Sequence, residues 1–383
     1  MDNKIHPLLD KTKQLQAKRY EKEKRLLGLA SSVLLLIILL AFYFSGLSAW
    51  LANLHLGNSI IVTFLVYVLL FQTFSLILTL PLNFYNSYIH EHKWNFSNHT
   101  VKSWIWEQSK SFLVGLIIMT VLLGLLFWIM ALYPQNWWWM AGLAMALVSV
   151  IFATLFPVVI LPIFNKYTPI QNKELTDSLE RILSKADLRS SGFFREDMSR
   201  QTKKENAFLA GLGKTRRVVL ADNLIESMSI PEIESIIAHE VGHYKSKHIW
   251  KSVIIGTLQQ LVVFYLLNWA MLSIFPQFLS STVWNLTLFP VFIILMGTVS
   301  TFFFGPLSNA LSRSFERQAD KTALEMIKEK KVFMSALAGL ADRNLINAYP
   351  EWWAKLLHYS HPPIGERLIM AESFPEKSSP ISP

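Results

Sequence analysis

The 383-residue sequence contains no cysteine, and only 16% of its residues are charged. Without cysteine, the chain can form no disulfide scaffold, no thiolate nucleophile and no cysteine-based zinc site. Any metal must therefore be held by histidine, carboxylate or backbone oxygen. Soluble domains carry roughly 25% charged residues, whereas this chain is 52% hydrophobic with a mean hydropathy of +0.33. The composition indicates a membrane-embedded protein.

Six apolar segments reach the length of about 20 residues that a bilayer span needs. They are predicted at 27–51, 59–82, 111–132, 137–163, 249–274 and 284–307. The implied regions are a basic arm (1–25), a region of four spans (26–163), a polar insert (164–248), two further spans (249–307) and a C-terminal region (308–383).

The lysines and arginines between the spans predict the orientation of the chain. The connections 52–58, 133–136 and 275–283 contain none, whereas those at 83–110 and after 163 contain several. Because basic residues stay on the cytoplasmic side, we expect both termini, the insert and the C-terminal region to face the cytoplasm, in a bacterial inner membrane or the endoplasmic reticulum. The net charge of +9 then reflects cytoplasmic loops and anionic lipid, and no nucleic-acid partner is expected.

The polar insert shows patterns of both helix and strand. Apolar residues recur at helical spacing over 174–185, and two strand-like runs at 206–210 and 217–221 flank a glycine-containing turn at 211–214, which predicts a β-hairpin. The Gly-Lys-Thr at 213–215 does not fit a phosphate-binding loop, because the glycine that such a loop needs is replaced by Phe208.

The strongest chemical signal is the segment that contains His239, Glu240 and His243. It follows a capping box of Ser229 and Glu232, which predicts a helix. Histidines four residues apart lie on one helical face, where they can take two corners of a zinc tetrahedron beside a carboxylate that handles water. This is the His-Glu-x-x-His pattern of zinc peptidases. A helix with two solvated histidines is the alternative.

A third ligand can be sought by elimination. A metzincin needs glycine and histidine at 246 and 249, where this chain has serine and isoleucine, and no carboxylate occurs between Glu240 and Glu316. Glu316 is therefore the first carboxylate available, and Asp320 shares its helical face, so that one can bind the metal while the other orients a ligand or moves a proton. His248 is a weaker candidate, and an ordinary surface helix is the remaining alternative.

Three motifs occur in order: Ala-His-Glu-Val-Gly-His at 238–243, Glu-Arg-Gln-Ala-Asp at 316–320 and Ser-His-Pro-Pro-Ile-Gly-Glu-Arg at 360–367. Together with 161–169 and Asn-Ala-Phe at 206–208, they resemble the type I CAAX prenyl protease family, integral-membrane zinc metallopeptidases of the gluzincin group. The resemblance covers roughly residues 60–370. The sequence departs from the family in one respect. The eukaryotic members have seven spans, whereas six are counted here, and the difference lies before the second span.

The resemblance implies a mainly α, polytopic membrane protein with a zincin-like α+β catalytic insert and a helical C-terminal region. It also implies one zinc ion per chain and roles for ten residues. These are zinc binding by His239, His243 and Glu316; general base catalysis by Glu240; proton donation or ligand support by Asp320; oxyanion or substrate stabilisation by His361 and Arg367; and substrate binding by Asn206, Ala207 and Phe208.

The expected activity is hydrolysis of peptide bonds in a protein or peptide substrate, with removal of the C-terminal tripeptide from prenylated CAAX proteins as the leading hypothesis. A broad-specificity protease for quality control of membrane proteins is the alternative. A non-catalytic membrane scaffold or a transporter is a more remote one.

Overall fold

The structure is a computed structural model that describes residues 5–54, 59–211, 216–279, 282–327 and 329–375, with the side chains at 282–284 not described. Helices dominate it. In chain order they are α1 (Lys11–Phe44), α2 (Leu47–Ala52), α3 (Ile60–Phe84), α4 (His90–Lys93), α5 (Val101–Leu132), α6 (Trp137–Leu155), α7 (Leu161–Phe164), α8 (Lys173–Ser184), α9 (Asp222–Ser227), α10 (Ile230–Lys245), α11 (His248–Ile274), α12 (Thr282–Thr287), α13 (Phe289–Thr298), α14 (Gly305–Met326), α15 (Lys330–Arg343), α16 (Trp352–His358) and α17 (Ile364–Glu372).

Within the described residues, six helical segments are long and apolar enough to cross a membrane, as the sequence predicts. They are Lys11–Phe44, Ile60–Lys93, Val101–Leu132, Trp137–Phe164, His248–Ile274 and Phe289–Met326. Three of them contain a π-helical turn, at Tyr85–Ile89, Phe156–Ile160 and Val299–Phe304. The expectation of a mainly helical, six-span membrane protein is confirmed.

The helix that contains the first predicted span is longer than the span at its start and shorter at its end. Helix α1 begins at Lys11, inside the predicted basic arm, because the side chain of Asp10 accepts a hydrogen bond from the Lys13 backbone and caps it. It ends at Phe44 instead of residue 51, because Gly46 takes a positive φ of 78° that a helix cannot contain. The predicted boundaries at 25 and 307 both fall inside continuous helices, α1 and α14, so these two spans continue directly into the soluble part.

The predicted basic arm packs against the rest of the protein. Tyr20 is buried against Phe96 and Leu345, and the side chain of Gln14 accepts a hydrogen bond from the backbone of Ala348 at 3.0 Å. The N-terminal part of α1 therefore joins the C-terminal region to the membrane helices.

A four-stranded mixed sheet lies in the polar insert, in the order β1, β2, β4, β3. Its strands are β1 (Tyr167–Pro169), β2 (Phe193–Glu196), β3 (Ala207–Ala210) and β4 (Arg217–Ala221). Strands β3 and β4 pair antiparallel, with Ala207 opposite Leu220, which confirms the predicted hairpin. Residues 212–214 of the predicted turn lie outside the described residues. Strand β3 ends the sheet order, so one of its edges faces away from β4.

One hydrophobic core joins this sheet to the helices that carry the predicted site. Leu179 of α8, Leu220 of β4, Ile237 of α10 and Leu368 of α17 are completely buried within it. Helix α8 starts and ends one residue before the predicted range. The α+β expectation for the insert holds, and the core fixes α10 and α17 relative to the edge strand.

Candidate active site

Helix α10 presents the two predicted histidines to a common point. Its start is fixed by the predicted capping box, in which the Ser229 backbone N–H donates to the Glu232 carboxylate at 2.9 Å. Ile237, Ala238 and Val241 anchor it in the core. His239 and His243 then lie one turn apart, with their Nε2 atoms 3.2 Å from each other.

Glu316 of α14 completes a cluster of three potential metal ligands. Its Oε1 lies 3.2 Å from His243 Nε2, and its Oε2 lies 3.2 Å from His239 Nε2. In a tetrahedral zinc site with bonds of about 2.0–2.1 Å, neighbouring ligand atoms are about 3.3 Å apart. The separation of the two imidazole nitrogens is close to one edge of such a tetrahedron, and each nitrogen lies at a similar distance from one of the two oxygens of Glu316.

The surroundings of Glu316 also fit a cation. The carboxylate is buried, and its Oε2 forms no hydrogen bond with any described residue, since the approach of His239 lacks hydrogen-bond geometry. A buried carboxylate oxygen without a partner is unfavourable. Two imidazole nitrogens and one carboxylate oxygen form a donor set that zinc accepts, so the residues present fit this metal.

Asp320 and Arg367 support His239 from behind. The Oδ1 of Asp320 lies 2.8 Å from His239 Nδ1, and Arg367 Nε donates to Asp320 Oδ2 at 2.8 Å. Asp320 has no exposed surface. Burial opposes the charged form of His239, but the Asp320 and Glu316 carboxylates outweigh it and raise the pKa of His239 to about 9. Burial likewise opposes the charge of Arg367, but Asp320 outweighs it and raises the pKa of Arg367.

Glu240 lies between the metal ligands and the edge strand. Its carboxylate lies close to the Leu209 backbone of β3. Burial raises the pKa of Glu240 above its ordinary value. A carboxylate with a raised pKa is a stronger base, which suits a group that accepts a proton from water.

His361 and His248 both approach the cluster, but in different ways. The Nε2 of His361, on an exposed side chain, lies 3.2 Å from Glu316 Oε1. His248 lies behind His243, with 3.1 Å between their Nδ1 atoms, and its ring stacks on Phe315. His248 therefore contacts a predicted ligand from outside the three-residue cluster, and the geometry does not favour it as the third ligand.

Two cavities meet at these residues. The membrane-side cavity, of about 690 Å³, extends from them between the fourth and fifth spans, where it is lined by Met145 and Val253. The soluble-side cavity, of about 560 Å³, extends toward Tyr20 of α1. His239, Glu240 and His361 are among the residues that line both cavities. The predicted catalytic groups thus lie where a space within the membrane region joins a space in the soluble part.

Gly242 allows α10 and α14 to approach closely, and its replacement gives a testable prediction. A β-carbon at this position would lie 2.8 Å from both the Cα and the backbone oxygen of Ala319. We expect Gly242→Ala to separate the two helices, destabilise the protein by about 1–3 kcal/mol and weaken zinc binding, as measured by thermal unfolding and chelator competition.

The matched control is Gly115→Ala on α5, where no atom lies within 4 Å of the added carbon. This change is expected to leave zinc affinity unaltered. Equal zinc affinity in the two variants would contradict the close packing as the origin of the ligand geometry.

Comparison with known proteins decides the family. Residues 169–373 match the model of peptidase family M48, and residues 2–166 match the model of the CAAX prenyl protease N-terminal region with five membrane helices. The chain belongs to peptidase family M48. The resemblance to CAAX prenyl proteases seen in the sequence is confirmed.

Individual relatives agree with this assignment. This M48 protein is 30% identical to CAAX prenyl protease 1 of Saccharomyces cerevisiae over 329 residues, covering 80% of this chain and 72% of that one. It is 28% identical to the uncharacterized metalloprotease YhfN of Bacillus subtilis over 322 residues, covering 82% and 74%. The crystal structure of S. mikatae Ste24p is similar with a TM-score of 0.81 at 26% identity, covering 96% of this chain and 91% of that one.

The protein is therefore a multi-pass membrane metalloprotease of the CAAX prenyl protease 1 type, and its substrates are proteins. The family's N-terminal region has five membrane helices, whereas the described part of residues 2–166 contains four candidate spans. The short helix α2 follows the first of these four. The sequence predicts one span fewer than in the eukaryotic members, with the difference before the second span. Helix α2 lies at that point of the chain.

Several contacts at the site were not predicted from the sequence. They are the proximity of the Leu209 backbone to Glu240, the close approach at Gly242, the position of His248 behind His243 and the contribution of Tyr20 to the soluble-side cavity. A glycine inside a helix is the one sequence signal that points to any of them, because glycine there is unfavourable unless another element packs against it.

Proposed function

We propose that this M48 metalloprotease holds one zinc ion with His239, His243 and Glu316 and hydrolyses peptide bonds beside it. Two imidazole nitrogens 3.2 Å apart, each 3.2 Å from one oxygen of the buried Glu316 carboxylate, support this assignment. When bound, zinc supplies a Lewis acid that polarises the scissile carbonyl and lowers the pKa of water.

The remaining residues act on the substrate, on protons or on the ligands. Glu240 accepts the proton of the attacking water and passes it to the leaving amine. Asp320 is fully buried and paired with Arg367, and it lies within hydrogen-bonding distance of His239 Nδ1. This arrangement favours ligand support over proton donation, because a carboxylate that orients a metal-binding imidazole is held in this position. His361, with its exposed imidazole next to Glu316, is placed to stabilise the developing oxyanion.

The edge of β3 is the proposed site of substrate binding. An extended peptide can pair its backbone with a free strand edge, which tolerates many side chains. Asn206 and Ala207 line the soluble-side cavity, and Leu209 lines the membrane-side cavity. A peptide along 206–209, including Phe208, would therefore pass the metal residues and reach into both spaces.

The junction of the two cavities is the observation that carries the substrate proposal. A prenylated CAAX peptide has a lipid on the cysteine before the scissile bond and, after it, a tripeptide of two aliphatic residues and one variable residue that ends in a carboxylate. The lipid would occupy the membrane-side cavity, which reaches between the spans, and the tripeptide the soluble-side cavity. We further propose that the soluble part and both termini face the cytoplasm, because the lysine-containing connections lie on that side of the spans.

Cleavage of a farnesylated CAAX peptide and its unprenylated twin by the zinc-loaded protein tests this proposal, with Glu240→Gln as the blank. Because burial of each methylene contributes about 0.8 kcal/mol, we expect kcat/KM to be at least about tenfold higher for the farnesylated peptide. Equal cleavage of both peptides would instead favour a broad-specificity membrane protease. Cleavage of neither above the blank would contradict the peptidase assignment itself.

A further inference from the structure

Helix α16 exposes four large apolar side chains on one face. Trp352, Trp353, Leu356 and Leu357 are 77%, 41%, 40% and 46% exposed. Their spacing of i, i+1, i+4 and i+5 places them on one side of the helix, whereas Ala354 on the other side is completely buried. A contiguous apolar face of this kind marks an interaction site.

The position of α16 along the sixth span indicates what covers this face. Asn309 of α14 donates its side-chain N–H to the backbone oxygen of Leu357 at 2.8 Å. Arg313 donates to the backbone oxygen of Lys355 at 2.9 Å. Leu307, two residues before Asn309, is 58% exposed and belongs to the apolar surface of the span. Helix α16 therefore packs beside the turns of α14 that directly follow the lipid-facing part of the sixth span.

Contacts with the first span independently place α16 at the same depth in the bilayer. The guanidinium of Arg25 lies 4.9 Å from the centre of the Trp353 ring, and its Nη1 lies 3.4 Å from the Glu351 carboxylate. Arg25 is the last charged residue before the charge-free run at 27–51. Both spans thus place α16 at the level where the hydrocarbon region of the bilayer ends.

We propose that α16 lies in the interfacial region of the bilayer, with its four apolar side chains in the boundary between the lipid headgroups and the acyl chains. Tryptophan is enriched at this depth, and amphipathic helices bury their apolar faces there. The cation–π contact of Arg25 with Trp353 joins a basic group to the same surface, which suits anionic headgroups.

This contact with lipid also bears on the active site. The chain runs from α16 through Tyr359, whose backbone oxygen accepts a hydrogen bond from Arg313 at 2.6 Å, to His361 at 3.2 Å from Glu316. A bilayer that holds α16 against α14 therefore also holds the loop that brings His361 to the metal ligands.

The absence of cysteine allows a direct test with a single spin label. A nitroxide is attached to Leu356→Cys, and the full-length protein is placed in nanodiscs of phosphatidylcholine and phosphatidylglycerol. The control is Leu15→Cys, which is 63% exposed on α1 and lies about 15 Å along the helix from Arg25. We expect oxygen to collide with the Leu356 label several-fold more often than a water-soluble nickel chelate does, and the reverse for the Leu15 label.

Equal access of the nickel chelate to both labels would overturn the proposal. Protection of the Leu356 label from both reagents, or dipolar broadening between labels of two chains, would also overturn it and assign the face to a protein partner. A label at Trp352→Cys on the same face repeats the measurement if the first variant fails to fold. The readout does not depend on catalysis, so its outcome is independent of the proposed function.

Discussion

Replacing Glu240 with glutamine is expected to lower kcat for peptide cleavage by about 10³-fold, since general acid–base catalysis contributes roughly 10²–10⁴-fold. Glutamine keeps the size of the side chain and can still contact the Leu209 backbone, but it cannot accept a proton from water. The zinc content of the variant should equal that of the unmodified protein, because Glu240 is not one of the three clustered ligands. A cleavage assay with metal analysis of the same sample measures both quantities.

The same substitution at Glu226 is the matched control for this prediction. Glu226 is 66% exposed and pairs with Arg195 on the surface, so Glu226→Gln is expected to retain full activity. Undiminished cleavage by Glu240→Gln would contradict its role as the base. If Glu240→Gln cleaved no peptide but kept full cellular function, the result would favour the hypothesis of a non-catalytic scaffold.

Replacing Glu316 with glutamine is expected to remove zinc and activity together. The change leaves two imidazoles without the negative charge that completes the cluster. Loss of an outer partner of a ligand weakens metal binding by about 10–100-fold, and loss of the ligand itself should exceed this. Zinc affinity measured by chelator competition, followed by the cleavage assay, tests the prediction.

Asp320→Asn provides a graded comparison within the same helix. It retains all three clustered ligands but removes the negative charge beside His239 Nδ1, so its loss of zinc affinity should lie within the range of about 10–100-fold. A larger loss in Asp320→Asn than in Glu316→Gln would contradict the assignment of Glu316 as a ligand and Asp320 as its support.

The six spans and the His-Glu-x-x-His helix are predictable from the sequence because each depends on local pattern. A bilayer span is defined by its apolar length, and His239 and His243 share a face whatever surrounds them. The hairpin of β3 and β4 is local in the same sense. Glu316 could be reached by elimination, because the segment before it contains no other carboxylate.

Features that depend on distant contacts could not be predicted in this way. Strands β1 and β2 are three and four residues long, which is too short to show an alternating pattern. The pairing of Asp320 with Arg367 joins residues 47 positions apart, so the resemblance suggested both residues but not their contact. The extent of α1 could not be predicted, because hydropathy does not detect a polar helix that continues a span, nor a turn at Gly46 within an apolar run.

The zinc K-edge absorption spectrum of the unmodified protein tests the central claim most directly. We expect one zinc ion per chain, with two imidazole nitrogens and carboxylate oxygen at about 2.0–2.2 Å. A protein without zinc, or a spectrum with three imidazoles, would contradict it. Three imidazoles would mean that His248 or His361 takes the position assigned here to Glu316.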